Sequence, residues 1–148
     1  MTDIIKKGMP KEKVVVEEYS GEINFDTYQA EATKTAVYPK IVVIEADGTQ
    51  NDADYVYPAM GLGNEGGEVL GKLKKIVRDH QGRYKDEDGQ IYDMAQELVA
   101  AELGDVLWYL SEIASVFDVK LSKIAEKNLE KLESRKARGK LQGSGDNR

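Results

Sequence analysis

Leu98-Val-Ala-Ala-Glu-Leu-Gly-Asp-Val-Leu-Trp-Tyr-Leu-Ser-Glu-Ile-Ala-Ser-Val-Phe117 is the stretch whose reading decides the fold. Stepped at 100° per residue, it gathers Val99, Leu103, Val106, Leu110, Ile113 and Phe117 into one apolar stripe. Leu98, Asp105 and Tyr109 fall within about 60° of Glu102, beside that stripe, where an ordinary solvated face would lie opposite it. The stretch therefore predicts a long helix, from about Gln90 to Phe117, that buries a seam and holds two acids at its edge.

The segment before it repeats the arrangement. A helix predicted from Pro58 to about Arg78 clusters Glu65, Glu68 and Lys72 beside an apolar stripe of Leu62, Val69, Leu73 and Ile76. Packed antiparallel, the two helices bring Glu65, Glu68, Glu102 and Asp105 around one point. Bare carboxylates at the edge of a low-dielectric interior repel and protonate, so two divalent cations are the natural complement. Oxygen donors suit Mg²⁺, which keeps waters and shares phosphate ligands, and a di-iron site would want Glu-x-x-His motifs that a single His cannot supply. Either acidic pair alone is an everyday pattern of a solvated helix face. Both together, each beside an apolar stripe, favour a site.

Further out, Asn24 predicts an N-cap for a helix bearing Phe25, Tyr28, Ala32 and Ala36 and stopping before Pro39. Ile41 to Glu45, Asp47-Gly48 and Tyr55 to Tyr57 predict a small hairpin, an insertion over residues 40–56. A last helix should run from Leu121 to Arg138 and stop at Gly139. Residues 1–23 read as an extension with a short strand at Val14-Val15-Val16, and residues 140–148 as a polar tail. The organisation is thus an extension, 1–23, and one all-α helical-bundle domain, 24–148. Gly61, Gly63, Gly66, Gly67 and Gly71 cost a helix interior roughly 1 kcal/mol each relative to Ala, which predicts close approach by a neighbour or ligand. Gly61-Leu-Gly-Asn-Glu-Gly66 also satisfies G-x-G-x-x-G, but no buried strand precedes it, so the dinucleotide-fold reading fails.

Composition narrows the chemistry. The chain has 148 residues, no Cys, one His and a formal charge of −6. Thiolate catalysis, iron–sulfur clusters, Cys-type zinc sites and multi-His zinc sites are excluded, and nucleic acid and membrane are disfavoured as partners. The longest aliphatic run, Ile41 to Ile44, is far short of a membrane span, which predicts a cytoplasmic protein, in the host cytoplasm if viral.

Gly63-Asn-Glu-Gly-Gly-Glu-Val69, Glu102-Leu-Gly-Asp-Val-Leu-Trp-Tyr-Leu110 and Asn128-Leu-Glu-Lys-Leu-Glu-Ser-Arg-Lys-Ala-Arg-Gly139, in this order and spacing, resemble the MazG-like all-α nucleoside triphosphate pyrophosphohydrolases. Phe25-Asp-Thr-Tyr-Gln29 through Tyr38-Pro39, Tyr57-Pro58-Ala59 and Gly143-Ser-Gly-Asp-Asn-Arg148 resemble their short single-domain branch in bacteria and phages. The resemblance implies Mg²⁺-dependent cleavage, with Mn²⁺ as a substitute, of a (deoxy)nucleoside triphosphate between the α and β phosphates. It implies Glu65, Glu68, Glu102 and Asp105 as metal ligands and Tyr109 as a phosphate contact. The family signature is Glu-Glu-x-x-Glu followed by Glu-x-x-Asp, and this chain departs from it at Asn64. Single-domain members resemble half-bundles, which implies a homodimer or homotetramer.

The remaining roles follow from the chemistry. Glu65 or Glu68 would take the proton of the attacking water. Cations should line the far side of the site: Asn128, Lys131 and Arg135 share one face of the last helix, with Lys72, Lys75, Arg138 and Arg148 as weaker candidates. Gln29 could read a base edge and Tyr38, Tyr57 or Tyr28 could stack on it, although core packing is the simpler role for Tyr28 and Trp108. His80 is expected in solvent. The alternatives are the same site acting on an alarmone or modified nucleotide, and a non-catalytic metal-binding oligomerisation module. The charge is unevenly spread: residues 1–119 carry 12 basic and 23 acidic side chains, net −11, and residues 120–148 carry 9 and 4, net +5. That distribution admits one small polyanion, a metal-bound triphosphate.

Overall fold

The computed structural model describes residues 19–142. Four helices and one two-stranded sheet follow in the order α1 (Phe25–Thr33), β1 (Val42–Ile44), β2 (Gln50–Asp52), α2 (Val56–His80), α3 (Asp93–Val116) and α4 (Leu121–Ala137). The chain is all-α. The strand expected at Val14-Val15-Val16, most of the extension, and Arg148 lie outside the described residues.

α1 starts where its cap predicts. Asn24 Oδ1 accepts from the backbone N–H of Asp26 and of Thr27, both at 3.0 Å, and Thr27 Oγ1 accepts from Asn24 N–H at 2.8 Å, a reciprocal capping box. The helix is shorter than its apolar spacing suggests and leaves Ala36 outside. Thr35 folds its hydroxyl back on the carbonyl of Ala32 at 2.7 Å, competing for a group that continued helix would use.

The hairpin returns earlier than expected. β1 and β2 pair antiparallel with Val42 opposite Asp52 and Ile44 opposite Gln50, so the second strand is Gln50–Asp52 and not Tyr55 to Tyr57. The intervening turn is tight: Glu45 N–H bonds Thr49 O at 2.8 Å, Asp47 Oδ1 accepts from Thr49 N–H at 2.9 Å, and Gly48 takes φ 86°. Tyr57 then belongs to the first turn of α2. The buried Pro58 fits there because the first helical N–H groups have no intrahelical acceptor.

α2 ends with Gln81 left-handed at φ 54°, and Gly82 N–H reaches back to Ile76 O at 3.2 Å. The polar run after it is a closed turn: Lys85 bridges Ile91, and Asp86 Oδ1 accepts from the N–H groups of Asp88 and Gln90. Holding Gln90 and Ile91 in this way delays α3 to Asp93. Gly61 faces Tyr109 and Lys72 faces Glu102, so α2 and α3 pack antiparallel, as the acidic pairs require. α1 lies across α3, and α4 packs on α1.

α4 lacks a cap of its own, and α1 provides one. Gln29 Oε1 accepts from Leu121 N–H at 2.9 Å and Asp26 Oδ1 from Ser122 N–H at 3.2 Å. At its other end Gly139 takes φ 63°, the stop read from the sequence. The buried apolar side chains among the described residues are small or few: Ala32, Ala53, Ile76, Ala95, Ala114 and Leu121. Met60, Leu70, Val77, Phe117 and Leu129 stay largely exposed. Among the described residues, apolar side chains along the helix seams remain open.

Candidate active site

The α2–α3 pair brings three of the four expected carboxylates together. One oxygen each from Glu65, Glu102 and Asp105 lies within 4.8 Å of the others. Like charges at that spacing repel by about 3 to 4 kcal/mol per pair at an effective dielectric constant near 20. Glu68, one turn beyond Glu65, is exposed and stands outside the cluster, though close enough for its charge to act on Lys72. Lys72 enters the cluster: its Nζ donates to Glu102 Oε1 at 2.9 Å. That hydrogen bond, with the charges of Glu102 and Glu68, raises the lysine pKa further. Asn64, at the departure from the signature, donates to Glu65 Oε1 at 3.4 Å. Three half-shielded or exposed carboxylates and one ammonium form an oxygen-rich, net-negative donor set that fits a hard divalent cation.

An aromatic chain leads away from the acids. Tyr109 packs on the Gly61 backbone, and burial, followed by the charges near it including Glu65 and Asp105, pushes its phenol up from the ordinary range. Trp108 meets Tyr109 edge-on at 4.9 Å between ring centroids, Tyr38 meets Trp108 edge-on at 6.1 Å, and Tyr38 stacks on Tyr57 at 5.2 Å with planes 6° apart. The Trp108 indole N–H donates to Thr35 Oγ1 at 2.8 Å.

Glu112 was missed by the sequence reading. Its side chain is fully buried, and it accepts from Thr33 Oγ1 at 3.0 Å and from the Tyr38 hydroxyl at 3.3 Å. The signal was available, because Asp105, Tyr109 and Glu112 stand at i, i+4 and i+7 and extend one helix face. Burial, and then Glu112, raise the Tyr38 pKa.

Other candidates sit elsewhere. The Gln29 amide is consumed in the α1–α4 joint: Nε2 donates to Ser115 Oγ at 3.1 Å and to Val119 O at 3.0 Å, while Oε1 holds Leu121 N–H. Tyr28, on α1, is half-buried, and burial, followed by the charges of Asp105 and Glu112, raises its pKa. Lys75 is exposed on α2 and His80 is exposed at its end. On α4, Asn128 and Lys131 are exposed, Arg135 is buried, and Arg138 Nε bonds Ser134 O. Among the described residues the main packing partner of α4 is α1, whereas the clustered acids stand on α2 and α3. Among the five glycines of α2, Gly61 receives a neighbour; a β-carbon on Gly63, Gly66, Gly67 or Gly71 would meet open space.

Residues 59–139 match the MazG nucleotide pyrophosphohydrolase domain, a span that holds every member of the acidic cluster. The chain belongs to the MazG nucleotide pyrophosphohydrolase family. A curated relative, the Gene 37 protein of Mycobacterium phage L5, is 43% identical over 126 residues, covering 85% of this chain and 100% of that protein. No solved structure gives a significant match. MazG membership agrees with the four helices, and no described helix is long and apolar enough to cross a membrane.

Proposed function

We propose that this MazG-family chain hydrolyses a (deoxy)nucleoside triphosphate between the α and β phosphates in the presence of Mg²⁺, or Mn²⁺ in its place. The products are the nucleoside monophosphate and pyrophosphate. The observation that carries this reading is the meeting of Glu65, Glu102 and Asp105 oxygens within 4.8 Å inside the family-matched span.

Glu65, Glu102 and Asp105 would hold the cation, and Glu68 would complete the set or stand one turn away. The cation, when bound, polarises the α-phosphorus and acidifies the attacking water. The oxygen of that water bonds to the α-phosphorus as the bond from phosphorus to the α,β-bridging oxygen breaks. A carboxylate of α2 takes the water's proton, and Glu68 is favoured over Glu65 because it lies outside the cluster. Tyr109 would contact a phosphate oxygen. Tyr38 and Tyr57 would offer the base a flat aromatic surface, and Gln29, engaged in the α1–α4 joint, drops out of that role.

We infer also that copies of the chain assemble as a homodimer or homotetramer in the cytoplasm, the host's if the chain is viral. Support comes from the uncovered apolar side chains of α2, α3 and α4 and from the open glycine face of α2. A second copy could bring Asn128, Lys131 and Arg135 towards the triphosphate, with Lys75 lining the approach. The catalytic unit would span residues 24–148.

Incubation with Mg²⁺ and a panel of NTPs and dNTPs, with chromatographic identification of products, tests the reaction. Monophosphate and pyrophosphate support it. Diphosphate and phosphate, or no turnover, overturn it.

A further inference from the structure

Lys72 stands where a cation is wanted. It is 22% exposed and Glu102 is 13% exposed at the side chain, whereas the pairs Lys34 with Glu31 and Arg78 with Asp79 are each about half open to water. The ammonium is thus paired to one member of a cluster in which Glu65, Glu102 and Asp105 each offer an oxygen within 4.8 Å of the others. Its grip falls on Oε1 of Glu102, an oxygen of a carboxylate that the metal reading also requires.

We propose that Lys72 is the resting counter-ion of the acidic cluster, so that a divalent cation gains Glu102 only by displacing its ammonium. The inference rests on the reading of Glu65, Glu102 and Asp105 as metal ligands. An ammonium and a divalent ion repel, and one carboxylate oxygen does not serve both at full strength. A lysine can leave without backbone movement, because its charge rides on a flexible four-carbon stem. Where it goes depends on what arrives. A free metal ion offers it no new partner, so displacement opposes binding. A metal ion already carried by a triphosphate brings phosphate oxygens into reach, and the ammonium exchanges one anion for another. Lys72 therefore weakens binding of the bare ion and spares the nucleotide complex, which makes the site select metal that comes with its substrate. With the site empty, the same residue relieves repulsion among the acids.

Free Mn²⁺ titrated by electron paramagnetic resonance, with no nucleotide, tests this on the full chain. Lys72→Met should bind Mn²⁺ about tenfold tighter than wild type and melt lower than wild type without metal. Lys74→Met removes the same charge from an exposed position of α2 that carries no assigned role and should change affinity little. Lys72→Gln, run beside Lys72→Met, keeps a polar side chain should the methionine variant fold poorly. With a non-hydrolysable α,β-methylene nucleoside triphosphate present, the advantage of the Lys72 variants should vanish or reverse. Unchanged or weaker Mn²⁺ binding in both Lys72 variants, or equal tightening in Lys74→Met, overturns the proposal while leaving the metal reading intact. Wild-type Mn²⁺ binding that is indifferent to Glu65→Gln and Asp105→Asn overturns both.

Discussion

The ring of Tyr109 occupies the space that a β-carbon on Gly61 would need. Helix α2 thus gives up side-chain cover at one turn so that an aromatic ring from α3 can lie against its backbone, next to the acidic cluster. Substitution sets two effects against each other. Ala in place of Gly favours helix by up to about 1 kcal/mol, but overlap with a packed ring costs typically 1 to 3 kcal/mol. Gly61→Ala should therefore lower the melting temperature and reduce kcat/KM as Tyr109 shifts. Gly104→Ala, on an open part of α3, should raise the melting temperature, and a rise in both variants would show that Tyr109 moves freely.

Asp105→Asn and Glu65→Gln each take one charge from a cluster whose members repel. Turnover should fall by at least about a hundredfold in each, while the metal-free protein melts at the same or a higher temperature. Side-by-side product assays and thermal melts check this, and a large loss of stability would recast these acids as structural.

The stacked pair Tyr38 and Tyr57 separates hydrogen bonding from stacking. Tyr38→Phe keeps the ring but leaves Glu112 with one donor fewer, which should cost about 1 to 2 kcal/mol of stability with little change in KM. Tyr57→Ala removes the exposed partner of the stack and should raise KM about tenfold with kcat nearly kept. Initial-rate kinetics and denaturant titrations distinguish the two patterns.

Asp26 makes stability depend on acid. Its hydrogen bond with Ser122, aided by Lys120, holds the carboxyl below the ordinary aspartate value. A depressed folded-state pKa contributes stability above the unfolded value, about 3.9, and loses it as pH falls through the folded value. The difference in melting temperature between wild type and Asp26→Ala should be full at pH 7 and shrink below about pH 4. A difference independent of pH would assign the contact to packing.

Helical period sufficed to read α2, α3 and α4 to within a few residues, because each carries an apolar stripe at helical spacing and local stop signals such as Gly139 mark the ends. The meeting of Glu65, Glu102 and Asp105 was legible for the same reason: i, i+3 pairs beside a seam have one place to go when two helices pack antiparallel. Loops were less legible. The return of the hairpin at Gln50 depends on side-chain and backbone bonds inside the turn from Glu45 to Thr49, which carry no period. Gln29 and Glu112 were opaque for a different reason. A polar residue on a helix gives no sign of whether its partner is solvent, a ligand or another helix, and here the partners lie 74 to 92 residues away.

The cap that α1 lends to α4 ties two segments of very different position in the chain into one unit of protection. The amides of Leu121 and Ser122 are closed by side chains 92 and 96 residues earlier, so their hydrogen exchange reports whether α1 is docked. Loosening of α1 would reach the basic helix as fraying at its first turn, which precedes Asn128, Lys131 and Arg135 along the same helix.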